Sequence, residues 1–111
     1  MTDLKPVIFL GDSLDRIRGF PREARHKAGF QLDRVQRGLD PDDWKPLPSV
    51  GPGVREIRVR DRSGGFRVIY LATFPQAVFV LNAFQKKTQK TPWFEIRLAA
   101  ERLRQLQWRK R

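Results

Sequence analysis

Apolar positions recur along this chain with different periods in different segments, and each period predicts a different element. Val7-Ile8-Phe9-Leu10 is a short apolar run closed by Gly11-Asp12, which predicts a strand with a turn behind it. Ser13 then stands as the N-cap of a short helix through Leu14 and Ile17 that ends at Gly19, and Pro21 restarts helical structure. Ala24, Ala28, Leu32, Val35 and Leu39 follow at spacings of four, four, three and four, which places them on one helical face with Gly38 marking the end. These two segments predict a helical hairpin. Residues 40–53 hold four prolines and two glycines, a composition that predicts a loop without regular ladder bonding. From Val54 the period becomes two, with Ile57 and Val59 on one face and Glu56, Arg58 and Arg60 on the other. Asp61-Arg62-Ser63-Gly64-Gly65 supplies a turn, residues 66–74 a return strand, Pro75-Gln76 a second turn, and residues 77–84 a strand apolar on both faces. Three antiparallel strands in series result. Thr91 and Pro92 then read as N-cap and first position of a helix carrying the stripe Ile96, Ala99, Leu103 and Leu106. Arg97, Arg102, Arg104, Arg109, Lys110 and Arg111 coat the rest of that helix. The order is strand, helix, helix, loop, three-stranded meander, helix, which predicts an α+β layer with helices on a sheet.

Length and composition narrow the picture. At 111 residues the chain is expected to form a single domain over 1–111, since domains of about 100 to 150 residues are commonest. There is no internal repeat or low-complexity tract. Without cysteine, disulfide frameworks, thiolate catalysis and sulfur-ligated metals are excluded, and the single histidine, His26, excludes a multi-histidine metal site. No signal-like segment opens the sequence, and no apolar run approaches the roughly 18 residues of a bilayer span, so a soluble cytoplasmic protein is expected. The 23 Lys and Arg against 12 Asp and Glu leave a formal charge of +11. Such a charge favours polyanions: nucleic acid, an acidic protein or an anionic membrane surface all satisfy it.

The placement of the cations is more informative than their number. If the three strands pair as a meander, Arg58 and Arg60 on the first, Arg67 just after the hairpin turn and Lys86-Lys87 after the third converge on one rim. Such a rim suits a phosphodiester, because arginine grips phosphate bidentately and positive charge stabilises a phosphorane-like transition state. RNA brings its own nucleophile in the 2′-hydroxyl, so cleavage there needs neither metal nor histidine. The base stays unassigned: a lysine with its pKa lowered by neighbours or burial, Glu56, or an external group each fit. A cationic strand face also reads as a phosphate-binding surface without chemistry. His26 lies off the apolar positions of its helix and reads as a surface residue. Trp44, Trp93 and Trp108 are placed to stack on bases, but aromatics near loops and helix ends more often anchor packing. The stripe of the last helix is narrow enough to be consumed by the sheet rather than by a membrane.

Three blocks carry a family resemblance: Val54-Arg55-Glu56-Ile57-Arg58-Val59, Gly65-Phe66-Arg67-Val68-Ile69-Tyr70, and Leu81-Asn82-Ala83-Phe84-Gln85-Lys86-Lys87-Thr88-Gln89-Lys90-Thr91-Pro92. Together they resemble the HigB-like, phage-derived branch of the RelE toxin superfamily, and the resemblance extends over nearly the whole chain. It implies a small RelE-like α+β fold, an antiparallel sheet with an N-terminal helical hairpin and a C-terminal helix packed on it. It also implies the toxin of a type II toxin-antitoxin module: an endoribonuclease that enters the ribosomal A site and cuts translated mRNA without metal or other cofactor. The implied partners are ribosome, mRNA and an antitoxin, often a helix-turn-helix protein, in a hetero-oligomer; no membrane is involved. By position, Arg67 matches the phosphate-gripping arginine, Arg58 a basic residue of substrate binding or proton transfer, and Lys86 and Lys87 the basic pair at the transition state. Arg55, Arg60, Arg62 and Lys90 are the flanking cations expected on RNA. The tyrosine of the RelE prototype has no counterpart, since the aromatics at that point are Trp93 and Phe94, and Tyr70 lies within a strand as a core residue. The competing readings are a non-catalytic basic module that docks RNA, ribosome or an acidic protein, and an accessory protein of phage assembly.

Overall fold

The computed structural model describes residues 4–109, and side chains up to residue 107. Met1 to Asp3, Lys110 and Arg111, with the side chains of Trp108 and Arg109, lie outside the described residues, so the expectations for Trp108 and the terminal cations go untested. The elements are β1 (Val7–Phe9), α1 (Ser13–Arg18), α2 (Arg22–Gln36), β2 (Trp44–Pro46), β3 (Val54–Asp61), β4 (Gly64–Leu71), β5 (Val78–Lys86) and α3 (Trp93–Arg109). The strands form one five-stranded sheet in the order β1-β5-β4-β3-β2. The α+β expectation holds, and β3, β4 and β5 form the meander read from the period of two.

The alternation along these strands sorts side chains to two faces. On one face Ile57, Val59, Phe66, Val68, Tyr70, Val78 and Val80 meet the buried side of α1 and α2, chiefly Ile17, Ala24, Ala28, Leu32 and Val35. On the other, Val54, Ile69, Leu71, Leu81 and Phe84 pack with Leu47, Val50, and Ala99 and Leu103 of α3. Ile96, Ala99 and Leu103 of the α3 stripe therefore pack on the sheet, while Leu106 is only partly buried and lies outside the core cluster. Polar contacts pin the helix further: Arg102 Nη1 donates to the Leu81 carbonyl at 2.9 Å and Nη2 to Asp12 at 2.5 Å. At the other end of α3, buried Glu95 accepts from Arg16 Nη1 (2.9 Å) and Asn82 Nδ2 (3.0 Å).

The fold departs from the sequence reading in several places. The sheet is mixed, because β1 runs parallel to β5, with Val7 opposite Val78 and Phe9 opposite Val80. The proline-rich loop contains a strand: β2 pairs antiparallel with β3 through Trp44-Ile57, Lys45-Glu56 and Pro46-Arg55. Proline is tolerated there because β2 is an edge strand, where a missing N–H has no partner to lose. Strand β4 begins and ends earlier than read, and β5 runs on into Gln85 and Lys86. Leu39 falls outside the core and is 49% exposed. Helix α2 stops before it, in a turn where the Leu39 N–H donates to the Arg34 carbonyl and the Gly38 N–H to the Val35 carbonyl, with Gly38 at φ 82°. Neither expected hydroxyl cap forms. Ser13 is buried and donates to the Val80 carbonyl at 3.3 Å, and Thr91 donates to Glu56 Oε2 at 3.4 Å. Among the described residues no helix is long and apolar enough to cross a membrane.

The division between core and surface gives a stability test. Ile57, with no exposed surface, is expected to cost about 2–5 kcal/mol on substitution by alanine. Phe30, 57% exposed on α2, is expected to change stability by no more than about 0.5 kcal/mol on the same substitution. Urea unfolding of both variants checks the difference.

Candidate active site

The polar face of β3 alternates with its core face, so Glu56, Arg58 and Arg60 share a side with Lys45 on β2, Arg67 on β4 and Lys86 on β5. The register makes neighbours of them: Lys45 lies opposite Glu56, Arg58 opposite Arg67, Arg60 opposite Gly65, and Gly65 opposite Lys86. They occupy the half of this face that α3 leaves open, with Arg58 and Arg60 exposed and Lys86 half-buried.

At the centre is a carboxylate with no exposed surface. Glu56 Oε1 lies 3.4 Å from Arg67 Nε and 3.7 Å from Lys45 Nζ. Oε1 and Arg67 Nε face each other without forming an aligned hydrogen bond, so the pair is held by charge rather than by directed bonding. Arg67 is itself 8% exposed, and its Nη1 donates to the Phe66 carbonyl at 3.0 Å. Gly65 gives this guanidinium room: a Cβ there would lie 3.3 Å from Nη1. Burial pulls the Arg67 pKa below its ordinary value; Glu56 opposes the shift and Arg58 adds to it. Lys86 is also lowered, first by desolvation and then by Arg67, with Glu56 opposing and Lys45 and Arg58 reinforcing. Two arginines and a lysine on a rigid sheet, over a buried anion that fixes one of them, can seat a phosphodiester and stabilise charge that develops on it.

Not every expected site residue lies in this cluster. Arg55 projects to the opposite face, stacked 3.8 Å over the Trp44 ring and paired with Asp40 at 2.8 Å. Arg62 lies in the hairpin turn, beside a groove bordered by Pro21, His26 and Lys27. Lys87 is exposed and borders a different groove, with Phe20 and Pro21, while Lys90 is exposed in the following loop. His26 is a surface residue, and Tyr70, 1% exposed, is core. Trp93 is no packing anchor: it is 69% exposed at the start of α3, edge-on to exposed Phe94 and 5.8 Å from the Arg97 guanidinium. Lys45 escaped the sequence reading because its strand is short and lies between prolines. Its only signal was the polar position between Trp44 and Pro46.

A family model described as phage-derived protein Gp49-like (DUF891) matches residues 15–104. The chain belongs to the phage-derived Gp49-like family. A comparison of this Gp49-like chain with curated proteins finds no match. Among solved structures it is similar to the E. coli toxin RelE, in a free-state variant with two arginine-to-alanine substitutions. The TM-score is 0.62 at 17% identity, covering 93% of this chain and 98% of that one. At this identity the likeness is one of fold. A phage-derived family and a RelE-like fold are what the sequence resemblance implied.

The buried pair of the Gp49-like chain makes a double-mutant prediction. Glu56→Gln leaves the Arg67 charge buried without its counter-ion and is expected to lower stability by about 3–5 kcal/mol. Adding Arg67→Met removes the stranded charge and is expected to restore most of that loss. Denaturant unfolding of the two single variants and the double variant measures the coupling.

Proposed function

We propose that this protein is the toxin of a type II toxin-antitoxin pair and acts as an endoribonuclease on mRNA under translation. The observation that carries the reading is the convergence of Arg58, Arg67 and Lys86 around buried Glu56 on one face of a RelE-like sheet. Arg67 and Arg58 grip the non-bridging oxygens of the phosphodiester. Arg67 is held from beneath by Glu56, so little reorganisation is needed as charge builds up. Lys86, whose pKa is lowered, takes the proton of the 2′-hydroxyl in its neutral form. The 2′-oxygen then bonds to phosphorus, the bond to the 5′-oxygen breaks, and that oxygen is protonated by water at the open rim. The products are a 2′,3′-cyclic phosphate and a 5′-hydroxyl end. The nucleophile comes from the RNA and the charge from the protein, so the chemistry asks for no metal.

Arg60 lies on the same face and extends the phosphate track; Lys87, Lys90 and Arg62 are RNA contacts outside the reacting centre. Exposed cations of this kind attract mRNA and ribosomal RNA through counterion release. The family resemblance supports a ribosomal A-site target, a helix-turn-helix antitoxin as partner, a hetero-oligomer with it, and action in the cytoplasm.

Mapping new mRNA 5′ ends in a translating extract tests the assignment, with the same RNA lacking ribosomes alongside. Arg67→Ala is expected to lower cleavage by about 100-fold or more while ribosome association is largely kept, because its contact strengthens in the transition state. Lys87→Ala is expected to cost less than about tenfold, the scale of a single exposed phosphate contact. Intact mRNA with salt-sensitive ribosome binding would leave a binding module in place of an enzyme.

The lowered Lys86 pKa fixes the sign of a pH dependence. Its neutral fraction grows as pH rises, and grows at lower pH than for an ordinary lysine. Cleavage is expected to accelerate as pH rises from neutral, and to do so at lower pH than an unperturbed lysine would allow. Lys86→Arg, which stays charged throughout, is expected to be slow and flat in the same pH-rate profile.

A further inference from the structure

The cations of helix α2 differ from one end to the other. Near its C-terminus Arg34 and Arg37 pair with Asp42 and Asp33, at 3.5 and 2.9 Å. Near its N-terminus Arg22, Arg25 and Lys27 have no ion pair among the described residues, and the same holds for Arg18 before them and for Arg60 and Arg62 at the β3–β4 turn. This placement is locally unfavourable, because Arg22 and Arg25 sit in the first turns of the helix, where its dipole is positive. Local conflicts of this kind mark functional surfaces more often than structural ones. Between α2 and the turn lies a groove of about 710 Å³, lined from the helix by Arg22, His26 and Lys27 and from the turn by Arg62 and Ser63. Lys27 Nζ donates to the Arg60 carbonyl at 2.8 Å, which ties the two walls together. Of the two carboxylates at the groove, Asp61 is held by the Ser63 amide and hydroxyl at 2.7 and 2.5 Å, and Glu23 is exposed. Because α2 packs on the face of the sheet opposite α3, the groove lies across the sheet from Arg67 and Lys86.

We propose that this groove docks the sugar-phosphate backbone of a second RNA segment, separate from a strand held at the rim. Unpaired cations on two facing walls match a uniformly charged backbone, which they bind with release of counterions. A protein partner fits less well, since the groove is lined by no Leu, Ile, Val, Met, Phe, Tyr or Trp to form the apolar centre of an interface. The same lack leaves nothing to insert into a membrane. With both surfaces occupied, the β3–β4 end of the sheet lies between two RNA segments, and the groove anchors the protein while the rim reacts. The occupied rim rests on the ribonuclease reading; the docking in the groove does not.

The test measures binding of the full chain to a short blunt-ended RNA duplex by fluorescence anisotropy over a range of salt. Arg22→Gln combined with Arg62→Gln, one change on each wall, is expected to weaken binding about tenfold at low salt and to reduce the slope of log K against log salt by about two. Arg37→Gln combined with Arg104→Gln removes the same formal charge from exposed, ion-paired positions elsewhere and is expected to leave binding unchanged. Glu23→Gln removes a carboxylate from the groove and is expected to tighten binding. Equal weakening by the two double variants would reduce the effect to net charge and overturn the proposal, as would unaltered binding by Arg22→Gln with Arg62→Gln. Loss of binding to polyglutamate or to phosphatidylserine vesicles in that variant, with duplex binding intact, would give the groove to a protein or a membrane instead. Cleavage of translated mRNA is assayed separately. Duplex docking through the groove without cleavage sinks the ribonuclease and spares the groove, whereas cleavage with duplex binding indifferent to Arg22 and Arg62 does the reverse.

Discussion

The carboxylate of Glu56, sealed beneath the sheet's open face, is what allows a cluster of cations to sit there in register. A charge with no exposed surface is tolerated only when it is compensated, and here Arg67 and Lys45 compensate it from the adjacent strands. The dependence runs both ways, since Arg67, nearly buried itself, would be a stranded cation without Glu56. The Thr91 hydroxyl on Glu56 Oε2 ties the loop entering α3 to the same point. One buried anion thus joins β2, β3, β4 and the approach to α3, and the exposed arginines are arranged around it.

Much of this was legible from the chain. The period of two over residues 54 to 60 separated Ile57 and Val59 from Arg58 and Arg60, and the meander put Lys86 beside the start of β4. These features are local or depend on short connections, so pattern suffices. What pattern missed depends on tertiary partners. Ser13 and Thr91 have the chemistry of caps, but a carbonyl on β5 and a carboxylate on β3 compete for their hydroxyls. Lys45 was hidden because proline content argues against a strand unless the strand is known to be at an edge. Arg55 was expected among the flanking cations on RNA, and the pleat sends it to the face opposite the rim, where Trp44 and Asp40 hold it.

The two ends of the α3-side face divide their work. At one end Ala99 and Leu103 of α3 cover Val54, Leu71 and Leu81, and the Arg102 and Glu95 contacts hold the helix there. At the other end the strands continue past the helix, and their side chains change from apolar to cationic. The site is therefore carried by the same hydrogen-bonded strands as the core, and only the covering layer is missing. That is also why Trp93 and Phe94, where α3 begins, are left facing solvent instead of the interior.

Interleaving of site and core has a consequence for fidelity. Arg58 stands between Ile57 and Val59, and Arg67 between Phe66 and Val68, all four neighbours being buried. A slip of one residue in strand pairing would turn Arg58 and Arg67 under α1 and α2 and push those neighbours into water. A misaligned chain would therefore lose its hydrophobic interior together with its arginine array. Few near-native impostors with a half-formed array should survive, since the alternation that arms the surface also proofreads the register.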